Sequence, residues 1–183
     1  MGQSIRKKIM IVEDDPALRQ GLYHVLRTTE CDLVSSAKGD DALKQVPREK
    51  PDLIVLDLVS ESVDGITFLK MLRSFAGGQK IPVIALVEDD QKKRTSAGLA
   101  GATEMLDPEP EAEDLLRLVS RSIELPDFDL DDALWQLAPI EVREVMARPR
   151  PKGKKLGLTA RIRRGITDGR LPRLALTEDA GKK

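Results

Sequence analysis

Acidic side chains follow two apolar runs of this chain, at the points where the runs end. Glu13 and Asp14 come directly after residues 9–12, and Asp57 comes directly after residues 53–56. If both runs are neighbouring parallel strands, their carboxyl ends meet at one edge of a sheet and the carboxylates crowd together. Crowded carboxylates repel one another, and a divalent cation relieves this because Mg²⁺ prefers oxygen ligands. The spacing therefore indicates a cation site at this edge.

Strand and helix signals alternate over the first 124 residues, with the spacing of βαβ units. Short apolar runs predict strands over residues 9–12, 31–37, 53–56, 81–87 and 103–106. Amphipathic spacing and end signals predict helices over residues 16–29, 40–45, 65–75, 89–100 and 111–123. We therefore predict an α/β fold with a five-stranded parallel sheet in the doubly wound, flavodoxin-like order 2-1-3-4-5. In that order the first and third strands are adjacent, so Glu13 and Asp14 lie beside Asp57.

The composition predicts a globular protein with one main core. The chain has 183 residues, of which 40% are hydrophobic, 33% charged and only 3% aromatic, so the core must be aliphatic. No stretch approaches the roughly 20 apolar residues that cross a membrane. The single cysteine, Cys31, excludes an internal disulfide and fits a cytoplasmic protein. With one Cys, one His and no nucleophile-elbow motif, we do not expect an enzyme.

Four blocks of the sequence resemble the receiver domain of bacterial response regulators. IMIVEDDP resembles the first strand and acidic pair, and PDLIVLDLVSESVDGI resembles the third strand, the phosphoacceptor and the following loop. IPVIALVEDD and GATEMLDP resemble the fourth and fifth strands. The resemblance spans residues 7–124 and implies a receiver domain over residues 1–124. It implies that Asp57 accepts a phosphoryl group from a histidine kinase or a phosphotransfer protein.

The resemblance also implies how Mg²⁺ would be held. Asp14 and Asp57 would bind it directly, Glu13 would act mainly through water, and the carbonyl of Val59 would complete the protein's share. This chemistry is sensible because the cation offsets negative charge that would otherwise repel an incoming phosphoryl group.

Three positions depart from the family pattern and read as degenerate switch positions. Val87 stands where the family usually has Thr or Ser, and Met105 where it has Tyr or Phe. Asp107, or Pro108 if no gap is allowed, stands where the family has Lys before Pro. Val87 removes a hydrogen-bond donor, and Asp107 replaces a positive charge with a negative one. A preorganised donor to a developing charge is worth on the order of 3 kcal/mol in related sites. Met105 cannot hydrogen-bond as Tyr does, although it can repack.

Several functional interpretations therefore stay open. One is a working phosphoacceptor with altered switching, which signals to a downstream protein through its fourth and fifth helices. Another is a pseudo-receiver that acts as a phosphorylation-independent interaction module. A third interpretation is an unrelated α/β domain whose strands happen to end in carboxylates.

The remaining third of the chain is predicted to be a helical and basic extension. Residues 125–147 form a helical segment, in which Asp127 or Asp129 caps a first helix and Pro139 starts a second. Its apolar stripe would pack onto the receiver or across a homodimer. Residues 148–183 hold 12 Lys+Arg and 3 Asp+Glu, a net charge of +9, which leaves −10 for the rest of a chain whose total is −1. Such asymmetry favours contact with a polyanion, or the tail folding back on its own body.

The basic tail admits several interpretations. Residues 148–155 read as a mobile Pro/Gly linker. Residues 158–172 read as a short hairpin turning at Asp168-Gly169, as a segment that orders only on a partner, or simply as a solvated tail. Residues 139–176 also resemble the helix-turn-helix of excisionase-like DNA-binding domains. In that case four arginines would contact DNA phosphates, and binding would depend strongly on salt: Arg161, Arg163, Arg164 and Arg170.

Overall fold

The computed structural model describes residues 6–59, 64–125 and 127–139. Five strands form one parallel sheet in the order β2-β1-β3-β4-β5. They are β1 (Lys8–Val12), β2 (Asp32–Ser36), β3 (Leu53–Asp57), β4 (Val83–Leu86) and β5 (Glu104–Leu106). The predicted fold class and strand order are confirmed.

Helices connect the strands and cover both faces of the sheet. They are α1 (Pro16–Leu26), α2 (Gly39–Glu49), α3 (Gly65–Ser74), α4 (Gln91–Ala100), α5 (Ala112–Ser122) and α6 (Leu130–Leu137). Within the described ranges, none of them is both long enough and apolar enough to cross a membrane.

Aspartates fix the starts of three helices at the carboxyl edge of the sheet. Asp15 accepts hydrogen bonds from Ala17 N at 2.7 Å and from Leu18 N at 2.9 Å, and so caps α1. Asp64 caps α3, and Asp90 caps α4. Each carboxylate binds backbone N–H groups that have no partner inside the helix. These caps hold the loops that surround the acidic edge.

Helix α2 is longer than the sequence predicts. The sequence predicts that this helix fades near Pro47, yet α2 runs to Glu49 with Pro47 inside it. Proline removes one backbone donor, but the last turn still closes because Lys50 N donates to Val46 O at 2.8 Å. Val46 is also buried in the core, which holds this turn against the sheet. Packing therefore outweighs the local helix-breaking signal.

The core lies on both faces of the sheet. Ile9 and Ile11 of β1 point into a cluster with side chains of α1 and α5, whereas Met10 and Val12 point into a cluster with side chains of α2 and α3. This alternation is what a strand buried on both faces requires. Apart from Phe68, the largest fully buried side chains are aliphatic, as the composition predicts.

Helix α6 extends the core on the α1 and α5 face. Ala133 and Leu134 are buried in the same cluster as Leu22, Val25 and Leu26. Of the two packing modes that the sequence allowed, the structure shows α6 on its own chain, against α5 and the turn after α1. The second predicted helix, from Pro139, and the basic tail of residues 148–183 lie outside the described residues.

Replacing Leu134 with alanine is expected to lower the free energy of unfolding by about 3 kcal/mol, because it opens a cavity in a closed core. Leu134 is only 3% exposed. Urea denaturation of the full chain measures the change. Gln136→Ala, on the exposed side of the same helix, is the matched control and should change stability by less than about 0.5 kcal/mol. Equal effects of the two substitutions would show that α6 does not belong to the core.

Candidate functional site

Three carboxylates converge at the carboxyl edge of the sheet. Strand β1 pairs with β3 so that Val12 lies opposite Leu56, and Glu13 and Asp57 follow directly. Glu13, Asp14 and Asp57 each offer an oxygen, and these oxygens all lie within 4.8 Å of one another. Glu13 is 1% exposed and Asp57 is 5% exposed. The structure thus brings together the acidic residues that the sequence singled out.

Glu13 carries the clearest electrostatic signature of the cluster. Its Oε1 accepts a hydrogen bond from Asp15 N at 3.0 Å, whereas Oε2 is buried without a hydrogen-bond partner among the described residues. Burial, and secondarily the charge of Asp57, raise the pKa of Glu13 from 4.5 to about 7, against the opposing hydrogen bond from Asp15. A cation bound here would satisfy the lone oxygen and offset the repulsion. The donor set therefore fits Mg²⁺, which binds carboxylate oxygens.

Arg19 holds the loop that carries Glu13 and Asp14. Its Nη1 donates to the carbonyl oxygen of Glu13 at 2.7 Å and to that of Asp14 at 3.1 Å. Together with the Asp15 cap, this holds the backbone between β1 and α1 in place. Neither role was predicted from the sequence. The Asp15-Pro16 pair at a helix start signals a cap, but no local pattern indicates the role of Arg19.

Asp57 is held by the loop that follows it. Its Oδ1 accepts a hydrogen bond from Val59 N at 2.9 Å. Helix α3 approaches closely, since a Cβ added to Gly65 would lie 3.2 Å from the Asp57 carbonyl oxygen and 2.2 Å from Leu58 Cδ2. A side chain there would displace Leu58 and press on the Asp57 carbonyl, which favours glycine at the start of α3. The Asp57 carboxylate is therefore oriented by its own loop.

Of the three degenerate switch positions, Met105 lies on β5, and Val87 and Asp107 directly follow β4 and β5. Val87, which follows β4, is 2% exposed and donates only its backbone N–H, to Leu106 O at 2.9 Å. Met105 lies against α4, with its Cε 3.2 Å from where a Cβ on Gly98 would be. Asp107 accepts a hydrogen bond from Arg94 Nη2 at 2.6 Å. Arg94 was not predicted from the sequence, because this ion pair joins segments that no local pattern connects.

Four predicted DNA contacts cannot be placed at this site. Arg161, Arg163, Arg164 and Arg170 lie outside the described residues. Their role stays a prediction.

Comparison with known proteins agrees with this geometry. The family model of the response regulator receiver domain matches residues 9–120. The chain is similar to the alkaline phosphatase synthesis transcriptional regulatory protein PhoP of Bacillus subtilis, with 35% identity over 97 residues, or 52% of this chain and 39% of the relative. It is also similar to the response regulator MprA of Mycobacterium ulcerans, with 33% identity over 132 residues, or 69% of this chain and 56% of the relative. The chain thus spans about half the length of these curated relatives.

A solved structure with the same fold contains a magnesium ion. The receiver domain of a sensor histidine kinase from Pseudomonas aeruginosa matches with a TM-score of 0.60 and 26% identity, covering 64% of this chain and 98% of that chain. That structure has a magnesium ion coordinated in its active site cleft.

Proposed function

The chain belongs to the response regulator receiver domain family, and from this premise we propose that Asp57 accepts a phosphoryl group with the help of Mg²⁺. The observation that carries the proposal is the cluster of Glu13, Asp14 and Asp57, with ligand oxygens within 4.8 Å of one another. The buried, unpartnered Oε2 of Glu13 supports it further.

In this proposal Asp14 and Asp57 would bind Mg²⁺ directly, and Glu13 would contact it mainly through water. The carbonyl oxygen of Val59 would be the remaining protein ligand. The ion, when bound, neutralises charge on the acceptor and on the incoming phosphoryl group. The Val59 N–H fixes Oδ1 of Asp57 and so orients the carboxylate for in-line attack. A bond then forms between an Asp57 oxygen and phosphorus, while the bond from phosphorus to the donor breaks.

The donor would be a histidine kinase or a phosphotransfer protein, and the recipient of the signal a downstream protein. The chain would act in the cytoplasm as a signalling component rather than as an enzyme with a separate substrate. A homodimer and DNA binding through residues 139–176 stay predictions.

The alternative is a receiver-shaped module that works without phosphorylation. The Arg94–Asp107 ion pair at 2.6 Å favours this alternative, because it occupies the corner where the family has a lysine. Buried Val87 favours it too, since its side chain offers no donor to a phosphoryl group.

Intact-mass measurement separates the two functions. Incubation of the full chain with acetyl phosphate and Mg²⁺ should add the mass of one phosphoryl group, and Asp57→Asn or removal of Mg²⁺ should abolish the gain. Asp114→Asn, an exposed aspartate at the start of α5, is the matched control and should keep the gain. A folded wild-type chain that gains no mass would refute the phosphoacceptor and leave the pseudo-receiver.

A further inference from the structure

Arg94 is the cation that ties α4 to the loop after β5. Its Nη2 donates to Asp107 Oδ1 at 2.6 Å, and its Nε lies 3.6 Å from Asp89 Oδ1. That Nε is buried without a hydrogen-bond partner in the described part of the chain. Arginine offers five N–H donors in a planar fork, which suits a phosphate better than a single carboxylate oxygen. After its contacts with Asp107 and Asp89, Arg94 thus has donors left for a further anion.

The position of this ion pair relative to Asp57 follows from the sheet. Asp57 lies opposite Leu86 of β4, and Leu86 lies opposite Leu106 of β5, which directly precedes Asp107. Neighbouring strands are about 4.8 Å apart, so Asp107 follows β5 roughly 10 Å across the sheet edge from Asp57. Exposed charges at this distance are largely screened at physiological salt, whereas a charge on a buried group such as Asp57, which is 5% exposed, is screened much less. A charge added to Asp57 therefore acts on Asp107 and Arg94.

The signs of these charges determine how phosphorylation of Asp57 would change the Arg94–Asp107 ion pair. A phosphoryl group carries roughly −1.5 to −2 charges at neutral pH, so it repels Asp107 and attracts Arg94. Asp107 is well exposed, with 67% of its side chain accessible, and exposed ion pairs are weakly held. A guanidinium group can bind two phosphate oxygens at once, through two parallel N–H···O hydrogen bonds. The phosphoryl group would therefore compete with Asp107 for Arg94.

Helix α4 packs mainly on α3, through small side chains. Its buried residues are Ala97 and Ala100, whose side chains anchor little surface, and Leu99 is 86% exposed. Met105 lies against Gly98 of the same helix and can repack because methionine is flexible. A shift of Arg94 in the first turns of α4 would move this helix without breaking a large core.

We infer that Arg94 is the phosphate-sensing residue of this chain. On phosphorylation of Asp57, Arg94 leaves Asp107 for the phosphoryl oxygens and α4 moves with it. This inference rests on the proposed function, because it requires an anionic group on Asp57.

Hydrogen exchange of the full chain, with beryllofluoride and Mg²⁺ as a phosphoryl mimic, tests Arg94. In the wild type, saturating beryllofluoride should change amide exchange across α4. Arg94→Ala should bind the mimic about two- to fivefold more weakly, the range expected for loss of one exposed ionic contact, and should lose the α4 response at saturation. Arg94→Lys keeps the charge and should retain part of the response. Lys92→Ala, an exposed cation on the same helix, should respond as the wild type does.

The outcomes separate this inference from the proposed function. If the wild type binds beryllofluoride and Arg94→Ala shows the full α4 response, Arg94 is only a structural ion pair. If the double variant Arg94→Ala with Asp107→Lys regains the α4 response, a positive charge at this corner causes that response. If the double variant shows no α4 response, that cause is wrong. If the wild type binds no beryllofluoride, both the proposed function and the role of Arg94 fail together.

Discussion

Replacing Val87 with threonine is expected to speed phosphorylation of Asp57 by about tenfold or more. Val87 directly follows the β4 residue that lies opposite Asp57, and its buried side chain offers no donor. A hydroxyl at this place would stabilise the negative charge on the transferring phosphoryl group, and one preorganised donor is worth about 10²–10³ in rate at comparable sites. Threonine has nearly the shape of valine, so the strand should keep its place. The rate of mass gain with acetyl phosphate at saturating Mg²⁺ measures the effect.

Val83→Thr provides the matched control for this prediction. Val83 lies at the other end of β4 and is fully buried, so both variants bury one new hydroxyl in the same strand. Both should lose some stability, but only Val87→Thr should gain rate. A Val87→Thr rate equal to that of the wild type would mean that the missing hydroxyl does not limit phosphorylation.

The stability of the metal-free protein is expected to fall as pH rises from about 4.5 to about 7, because of Glu13. The pKa of Glu13 is raised from 4.5 to about 7 in the folded state, mainly by burial. The folded chain therefore holds a proton in this range that the unfolded chain has lost. The stabilisation that this bound proton gives the folded chain is complete below pH 4.5 and is lost as pH rises through about 7. It amounts to on the order of 3 kcal/mol in the free energy of unfolding.

Urea denaturation at pH 5 and pH 8 in a chelator measures this contribution as a difference between variants. Glu13→Gln should flatten the pH dependence relative to the wild type and should be the more stable protein at pH 8. Glu109→Gln, an exposed carboxylate in the loop after β5, should keep the wild-type slope. Mg²⁺ should restore wild-type stability at pH 8, since it binds the ionised carboxylates. An unchanged slope in Glu13→Gln would assign the pH dependence to other groups.

The sheet and its acidic edge could be predicted because the signals are local. Each strand is a short apolar run, and the right-handed crossover rule leaves few ways to arrange five of them. Once β1 and β3 are neighbours, residues just after their ends must meet, so Glu13 and Asp57 follow from position in the chain alone. The same reasoning located Val87 and Asp107 at the ends of the adjoining strands.

Other features depend on contacts between distant segments and left no local signal. The end of α2 was predicted too early because the cost of Pro47 is visible in the sequence, whereas the burial of Val46 is not. The partner of Asp107 could not be predicted from the sequence either, because Arg94 is thirteen residues away on another element. The raised pKa of Glu13 likewise comes from burial, which only the folded chain reveals.

Chemical identification of the phosphorylated residue tests the role of Asp57 most directly. Borohydride reduces an aspartyl phosphate to homoserine, and peptide mass spectrometry then locates the change in the chain. After treatment with acetyl phosphate, we expect homoserine at position 57, and only in samples that also contained Mg²⁺. Homoserine at position 14 or at another carboxylate, or at no position in a folded chain, would contradict Asp57 as the phosphoacceptor.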